Sequence, residues 1–309
     1  MVLRDGYGRP LLNLRVAITR RCNLHCQYCH LEGEERSPES FAGEMTVDEI
    51  VRIVRVAVGL GISRIKLTGG EPLMRKDITE IVKGIGATPG LADLSMTTNG
   101  TMLGSLAKEL HINGLKRVNI SLPTLNSEAY SKLTGGRLEN VLESVEAAVE
   151  VGFYPVKLNM LILKGVNDND VSEMVAFARE TGTILQLIEL EPINISGTYY
   201  SVHHKSLDEY EEMFKQEAVK VETRQYMQSR RIYYLPNATV EVVHPIENTD
   251  FCMRCTRLRV TSDGKLKPCL MRNDNLVDIL TAMRNGAKDE ELVELFKVAN
   301  QKRRPYNKE

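Results

Sequence analysis

No uninterrupted apolar run in the 309-residue sequence approaches the roughly 18 residues of a bilayer span, so nothing in it predicts a membrane helix. The opening "MVLRDGYGRP" lacks the apolar core of a secretory signal, which leaves the cytoplasm as the expected address. Net charge is nearly missing too. With 40 Lys and Arg against 41 Asp and Glu the balance is -1, so there is no whole-surface field for nucleic acid or anionic lipid. Any polyanion has to be met by a local cluster of cations. Cysteine is absent between residues 29 and 252; all six cysteines fall into two tight groups, Cys22, Cys26, Cys29 and Cys252, Cys255, Cys269. In a cytosolic chain such groups point to metal rather than disulfides. Buried core thiols, or one structural zinc shared by both groups, are the competing readings.

What is present describes a soluble globular protein: 42% hydrophobic and 26% charged residues, enough for one large barrel or a domain with a smaller appendage. A strand-like "LRVAIT" (14–19) runs straight into the first cysteine group, which therefore sits in a loop at the C-terminal end of a strand. Thr46 and Glu49 form a capping-box signature ahead of a helical pattern with a glycine stop. Alternation continues with strands expected at about 64–68, 92–97, 116–121, 156–163 and 184–190, and helices at about 76–86, 102–111, 137–151 and 169–181. Six strand–helix units predict a parallel, barrel-like α/β sheet. After about residue 218 the pattern changes to short antiparallel strands, so the expected division is 1–218 and 219–309. In "CTRLRVTSDGKLKPC" an Asp263-Gly264 hairpin turn folds Cys269 back toward Cys252 and Cys255, level with about Leu258. Final helices are expected near 276–300, and the tail "QKRRPYNKE" reads as a solvated basic end.

Each group offers three thiols, whereas structural zinc wants four ligands; His25 or His30 would have to complete a zinc site in the first. Three cysteines on a 4Fe-4S cube leave one iron without a protein ligand. The CxxxCxxC spacing with Tyr28 before its last cysteine, then "GGEP" (Gly69, Gly70, Glu71, Pro72) after the next strand, resembles the radical S-adenosylmethionine (SAM) enzymes. That resemblance implies a partial (β/α)6 TIM-like barrel in which SAM chelates the open iron. Glycines allow close backbone approach, and Glu71 offers a carboxylate to the methionyl ammonium. Thr97, Thr98 and Asn99 of "TTNG" and Ser121 of "ISL" follow the next strands and are expected to face the same mouth.

The second triad, with Arg257 and Arg259 beside it on one strand face, suggests a cluster whose open iron takes substrate, with guanidiniums for a phosphate chain or an electron-rich base. Taken together, "LNLRVAITRRCNLHCQYC", "IKLTGGEPLMRKDI", "SMTTNG", "LKRVNISL", "LILKGVND" and "CMRCTRLRVTSDGKLKPCL" resemble the GTP 3′,8-cyclases of molybdenum cofactor biosynthesis over nearly the whole chain. The resemblance implies two 4Fe-4S clusters, the second in a smaller C-terminal α+β domain, and GTP as substrate. A SAM-derived radical would take hydrogen from ribose carbon 3′, and the carbon radical would attack carbon 8 of guanine. A cyclic pyranopterin monophosphate synthase would act next. Matching substrate positions are Arg15, Lys66, Lys164, Arg257 and Arg259, with Arg257 and Arg259 also where the cyclised radical would be reduced. The electron donor is unspecified, and a homodimer is the family's suggestion. Departures are the missing C-terminal double glycine, Gln186 for an arginine and Pro123 for an acidic residue. The rival readings are a radical SAM peptide-modifying maturase with one auxiliary cluster and a non-catalytic zinc-binding protein.

Overall fold

The computed structural model describes residues 2–35 and 43–308; Met1, Glu309 and 36–42, including the outermost positions of the two expected units, lie outside them. The first two-thirds alternates strand and helix: β1 (Asn13–Ala17), α1 (Val47–Gly59), β2 (Arg64–Thr68), α2 (Ile78–Gly86), β3 (Asp93–Thr98), α3 (Leu103–Ile112), β4 (Arg117–Ser121), α4 (Ser127–Thr134), α5 (Leu138–Val151), β5 (Val156–Leu161), α6 (Val171–Glu180) and β6 (Ile184–Ile188). Then follow α7 (Gly197–His203), α8 (Asp208–Glu217), β7 (Lys220–Arg224), β8 (Arg230–Leu235), β9 (Ala238–Val243), α9 (Thr249–Met253), β10 (Arg257–Val260), β11 (Lys265–Lys267), β12 (Val277–Asp278), α10 (Leu280–Arg284) and α11 (Asp289–Gln301).

Among the described residues twelve strands form one open sheet, ordered β12-β11-β10-β1-β2-β3-β4-β5-β6-β9-β8-β7. The partial barrel expected from the alternation is there, but its parallel run has eight strands, because β10 pairs parallel with β1 and β9 with β6. The C-terminal strands thus extend both sides of the barrel. Along the parallel strands one set of side chains is apolar and fully buried, for example Leu14, Val16, Ile65, Leu67, Val118, Ile120, Leu158 and Met160, and packs into the core shared with the helices. The alternate set faces inward and is polar. Parallel strands covered by helices on one side and filled on the other usually read as continuous apolar runs. This barrel interior departs from that rule because it is a cavity and not a packed core.

The helix starts follow local chemistry. Thr46 caps α1 through a complete capping box with Glu49, and Asn126 accepts from the Ala129 N–H at the start of α4. The hairpin differs from expectation by one residue. Thr261 N–H donates to Lys265 O, and Arg259 pairs with Lys267, so the loop is Ser262-Asp263-Gly264 with Gly264 in the left-handed region. A three-residue loop ending in a left-handed glycine replaces the two-residue turn. Carried on, that register brings Cys269 level with Arg257 instead of Leu258, one residue nearer Cys255. Among the described residues no helix is long and apolar enough to cross a membrane.

Candidate active site

A cavity of about 340 Å³ lies inside the open barrel, and all six cysteines line it. None is paired in a disulfide. The two CxxC segments are built alike: Cys29 N–H donates to Cys26 O at 3.2 Å, and Cys255 N–H donates to Cys252 O at 3.2 Å. The first loop is fixed to the end of α4, where His25 and Gln27 donate their backbone N–H groups to Thr134 O and Leu133 O. Cys252 rides on the short α9, whose first turn Asn248 caps by accepting from Phe251 N–H at 2.9 Å.

The thiols of each group feel one another. Burial, then the neighbouring Cys29 and Cys22, push the Cys26 thiol up to about 12. Burial likewise raises Cys269, with Cys255 and Cys252 adding to the rise. Three soft donors whose thiolates repel at close quarters are a set that a cationic iron cluster relieves. No fourth cysteine stands near either group, so the donor sets fit three-ligand 4Fe-4S sites better than closed zinc sites.

The wall beside the first group is formed by the ends of β2, β3 and β4. Gly69, Gly70, Thr97, Thr98, Asn99 and Ser121 line the cavity there, as does Tyr28. Tyr28 is half-buried, and desolvation followed by the nearby Cys26 raises its phenol well above the ordinary range. The two glycines bring this loop against the cysteine loop: Gly70 N–H donates to Thr19 O at 2.8 Å, Glu71 N–H to Arg21 O at 2.7 Å, and a Cβ on either glycine would overlap backbone of residues 19–21.

Glu71 does not present its carboxylate to the cavity. It is fully buried, and its oxygens accept from Thr98 Oγ1 at 2.7 Å, Leu73 N–H at 3.0 Å and Asn99 N–H at 2.6 Å. The expected ammonium partner is therefore the brace under the "TTNG" loop. The Thr98 hydroxyl is committed to that brace and accepts from Gly100 N–H. Asn99 turns its side-chain amide toward Asn23 Oδ1 at 2.8 Å and Cys22 Sγ at 3.8 Å, tying the loop to the first cysteine.

The remaining wall is cationic. Eleven Lys and Arg side chains line the cavity against only Glu32, Asp93 and Glu191, in a chain whose net charge is -1. Register explains the concentration: Arg259 lies beside Arg15, and Arg15 beside Lys66, across three adjacent parallel strands. Burial, then Arg259, lowers Arg15 to about 10, with Glu32 opposing. Burial and then Arg230 and Arg15 take Arg257 well below its ordinary value. Lys66 is lowered for the same reasons, burial first and then Arg15, and donates to Asn119 Oδ1 at 2.6 Å. Glu32, on a turn at Leu31–Gly33 with φ 52°, accepts from Arg259 at 2.5 Å and stands 3.7 Å from Arg15. Burial opposes its charge, yet Arg259 and Arg15 hold its carboxyl below the usual range. Such an array is built for a multiply charged anion.

Two placements differ from expectation. Lys164 is exposed and is not among the cavity-lining residues; it follows β5 on the outside, where its backbone pairs with His203 O. The basic tail is not simply solvated: Arg303 is buried, and Arg304, Tyr306 and Asn307 line the cavity. Sequence reasoning also missed Glu32, Asn119, Asn159, Lys157 and Arg230, all on the cavity wall. For the strand residues the signal was present, since "RVNIS" and "VKLNML" place polar residues at period two in strands otherwise apolar. Gln186 accepts from Asn119 at 3.4 Å, and Pro123 offers its carbonyl to Asn167 at 2.7 Å.

A family model for the radical SAM superfamily matches residues 16–178, and one described as Molybdenum Cofactor Synthesis C matches 183–309. A probable GTP 3′,8-cyclase of Thermococcus kodakarensis is 51% identical over 312 residues, covering 99% of each chain. Another from Methanothermobacter thermautotrophicus is 46% identical over 308 residues, again with 99% of each chain covered. Among solved structures, Streptococcus suis SuiB bound to S-adenosylmethionine superposes with a TM-score of 0.65 at 18% identity, covering 94% of this chain and 73% of that one. Native anSMEcpe with bound AdoMet gives 0.61 at 18% identity, covering 92% and 83%. These two share the fold.

Proposed function

The chain belongs to the radical SAM superfamily and within it to the GTP 3′,8-cyclases of molybdenum cofactor biosynthesis, and from that membership we infer how its residues divide the work. It converts GTP to 3′,8-cyclo-7,8-dihydro-GTP using SAM and two 4Fe-4S clusters. When bound, the first cluster and SAM supply the electron and the 5′-deoxyadenosyl radical that removes hydrogen from ribose carbon 3′. Everything else falls to the side chains.

On our reading Cys22, Cys26 and Cys29 hold the first cluster, and Cys252, Cys255 and Cys269 the second. The loops carrying Gly69, Gly70, Thr97, Asn99 and Ser121 hold SAM, with Glu71 and Thr98 keeping them in place from behind. Arg15, Lys66, Arg257 and Arg259 take the triphosphate. Substrate phosphates arriving at Arg15 and Arg259 compete with Glu32, so binding exchanges one carboxylate for a more highly charged anion. Arg257 and Arg259 also flank the place where the cyclised radical would gain its electron and proton. Holding GTP between the two triads sets its ribose toward the SAM end, and the enclosed wall excludes water. Six free thiols suit a reducing cytosolic address, and the product passes to a cyclic pyranopterin monophosphate synthase.

The observation that carries the division is a cationic wall sharing one cavity with both cysteine triads. Its test is anaerobic reconstitution with iron and sulfide, then reductant, SAM and GTP. Arg15→Ala and Arg259→Ala should each weaken GTP at least tenfold while 5′-deoxyadenosine still forms from SAM alone. Unchanged GTP affinity in both would overturn the assignment of the phosphate site.

A further inference from the structure

The two ends of the chain meet beneath the second cysteine group. Asp5 is buried; its carboxylate accepts from Arg9 Nε at 2.8 Å and stands 3.4 Å from Arg303 Nη1. Each guanidinium also reaches the backbone of one cysteine. Arg9 Nη1 donates to Cys252 O at 2.8 Å, and Arg303 Nη2 donates to Cys255 O at 2.5 Å. Asn300 holds Arg303 from the side at 3.0 Å and donates its own amide to Arg4 O at 2.8 Å. Arg9 is 5% exposed and Arg303 1%. Two buried cations on one carboxylate leave a positive charge over, directly behind the CxxC turn. Desolvating a surplus cation is unfavourable, so a merely structural clasp would be better served by a neutral donor.

We propose that Arg9 and Arg303 are positioning residues that hold the Cys252–Cys255 turn and make the second cluster easier to reduce. The proposal rests on the assignment of that cluster to Cys252, Cys255 and Cys269. Reduction by one electron adds a negative charge to the cluster, and a nearby cation in a poorly solvated site favours the reduced form. Donation to the two carbonyls fixes the turn that carries the Cys252 and Cys255 thiolates. Removing the Arg303 charge should shift the one-electron equilibrium at least tenfold toward the oxidised form, which is 59 mV more negative.

The test uses the full chain with Cys22, Cys26 and Cys29 replaced by Ala, reconstituted anaerobically so that only the second cluster forms. Iron content, melting temperature and an EPR-monitored redox titration are then compared after adding Arg303→Met or Arg303→Lys. We expect about four irons per chain throughout, the tenfold shift in Arg303→Met, and recovery of at least half of it in Arg303→Lys. A lowered melting temperature with an unchanged potential overturns the proposal. Should Arg303→Met lose the cluster, Arg9→Met, which leaves a neutral Asp5–Arg303 pair, must show the same shift. Cluster loss in both variants that Arg303→Lys does not repair also overturns it. A parent without iron would sink the cluster assignment itself, whereas a normal cluster in an unmodified enzyme that makes no cyclised product would sink the proposed activity alone.

Discussion

Replacing Glu71 with Gln tests whether this residue braces the SAM loop or binds SAM itself. The carboxylate accepts three hydrogen bonds with two oxygens, from Thr98, Leu73 and Asn99. An amide has one acceptor and one donor. If Gln keeps its oxygen on Thr98 and Leu73, its NH2 faces the Asn99 N–H, donor against donor; if it flips, the Leu73 N–H suffers instead. A backbone donor left without its charged acceptor costs about 2 kcal/mol. If SAM has to restore the Asn99 position in order to bind, that converts at about 1.4 kcal/mol per tenfold into roughly 25-fold weaker SAM. Isothermal titration of the anaerobically reconstituted variant with SAM, and separately with GTP, reads the effect. The expected outcome is a 10- to 50-fold rise in the SAM dissociation constant with GTP affinity within about twofold, because Arg15, Arg257 and Arg259 lie on β1 and β10 and not on the strands whose loops Glu71 braces. SAM affinity within twofold of the parent would refute the bracing argument, and so would an equal loss for GTP.

Cys26→Ala should abolish SAM cleavage and leave about half of the iron, that of the second triad, by iron assay; continued 5′-deoxyadenosine production would remove the first group from the chemistry. Lys164→Ala, outside the cavity, should leave GTP affinity unchanged within about twofold, and a tenfold loss would show that the lysine swings inward on binding. Glu241 is buried under Lys157, Arg230 and Arg224; burial opposes its charge, but these cations outweigh it and hold its carboxyl far below the ordinary range. A depressed carboxyl gives stability that is present above the unfolded value near 4.3 and is lost as pH falls toward the folded one. Glu241→Gln should therefore lower stability by about 3–5 kcal/mol at pH 7 in denaturant titrations, with the gap to the parent narrowing below about pH 4. A gap that stays constant with pH would refute the ion-pair account.

Local chemistry was legible, and long-range placement was not. The strand "RIKLT" ends where expected, and the helices starting at Val47 and Leu138 begin within a residue or two of their sequence signals, because capping and periodicity act over a few positions. The short α4 was missed: "SEAYSKLT" is only eight residues long and is stopped by Gly135 in the left-handed conformation. That β10 would pair with β1 is recorded in neither strand, since the partners are some 240 positions apart. The two cysteine groups stood out by spacing, and the fold brings both to one cavity. The partners of Glu71 were not legible, because its neighbours in space, Thr98 and Asn99, arrive on the next strand. Arg303 looked like a solvated cation until the fold placed Asp5 and the Cys255 carbonyl beside it.

The sheet order also bears on when the cavity comes into being. Strand β1 needs β10 on one side and β6 needs β9, so both flanks of the early barrel stay bare until residues 238–260 have been made. During synthesis the loops after β2, β3 and β4, together with Arg15 and Lys66, can take shape long before Arg230, Arg257 and Arg259 are made. A chain arrested before Cys252 holds the first three thiols and Arg15 but neither Arg257 and Arg259 nor any thiol of the second group. Late pairing of β10 and β9 thus leaves the cavity incomplete until residues 238–260 join the sheet.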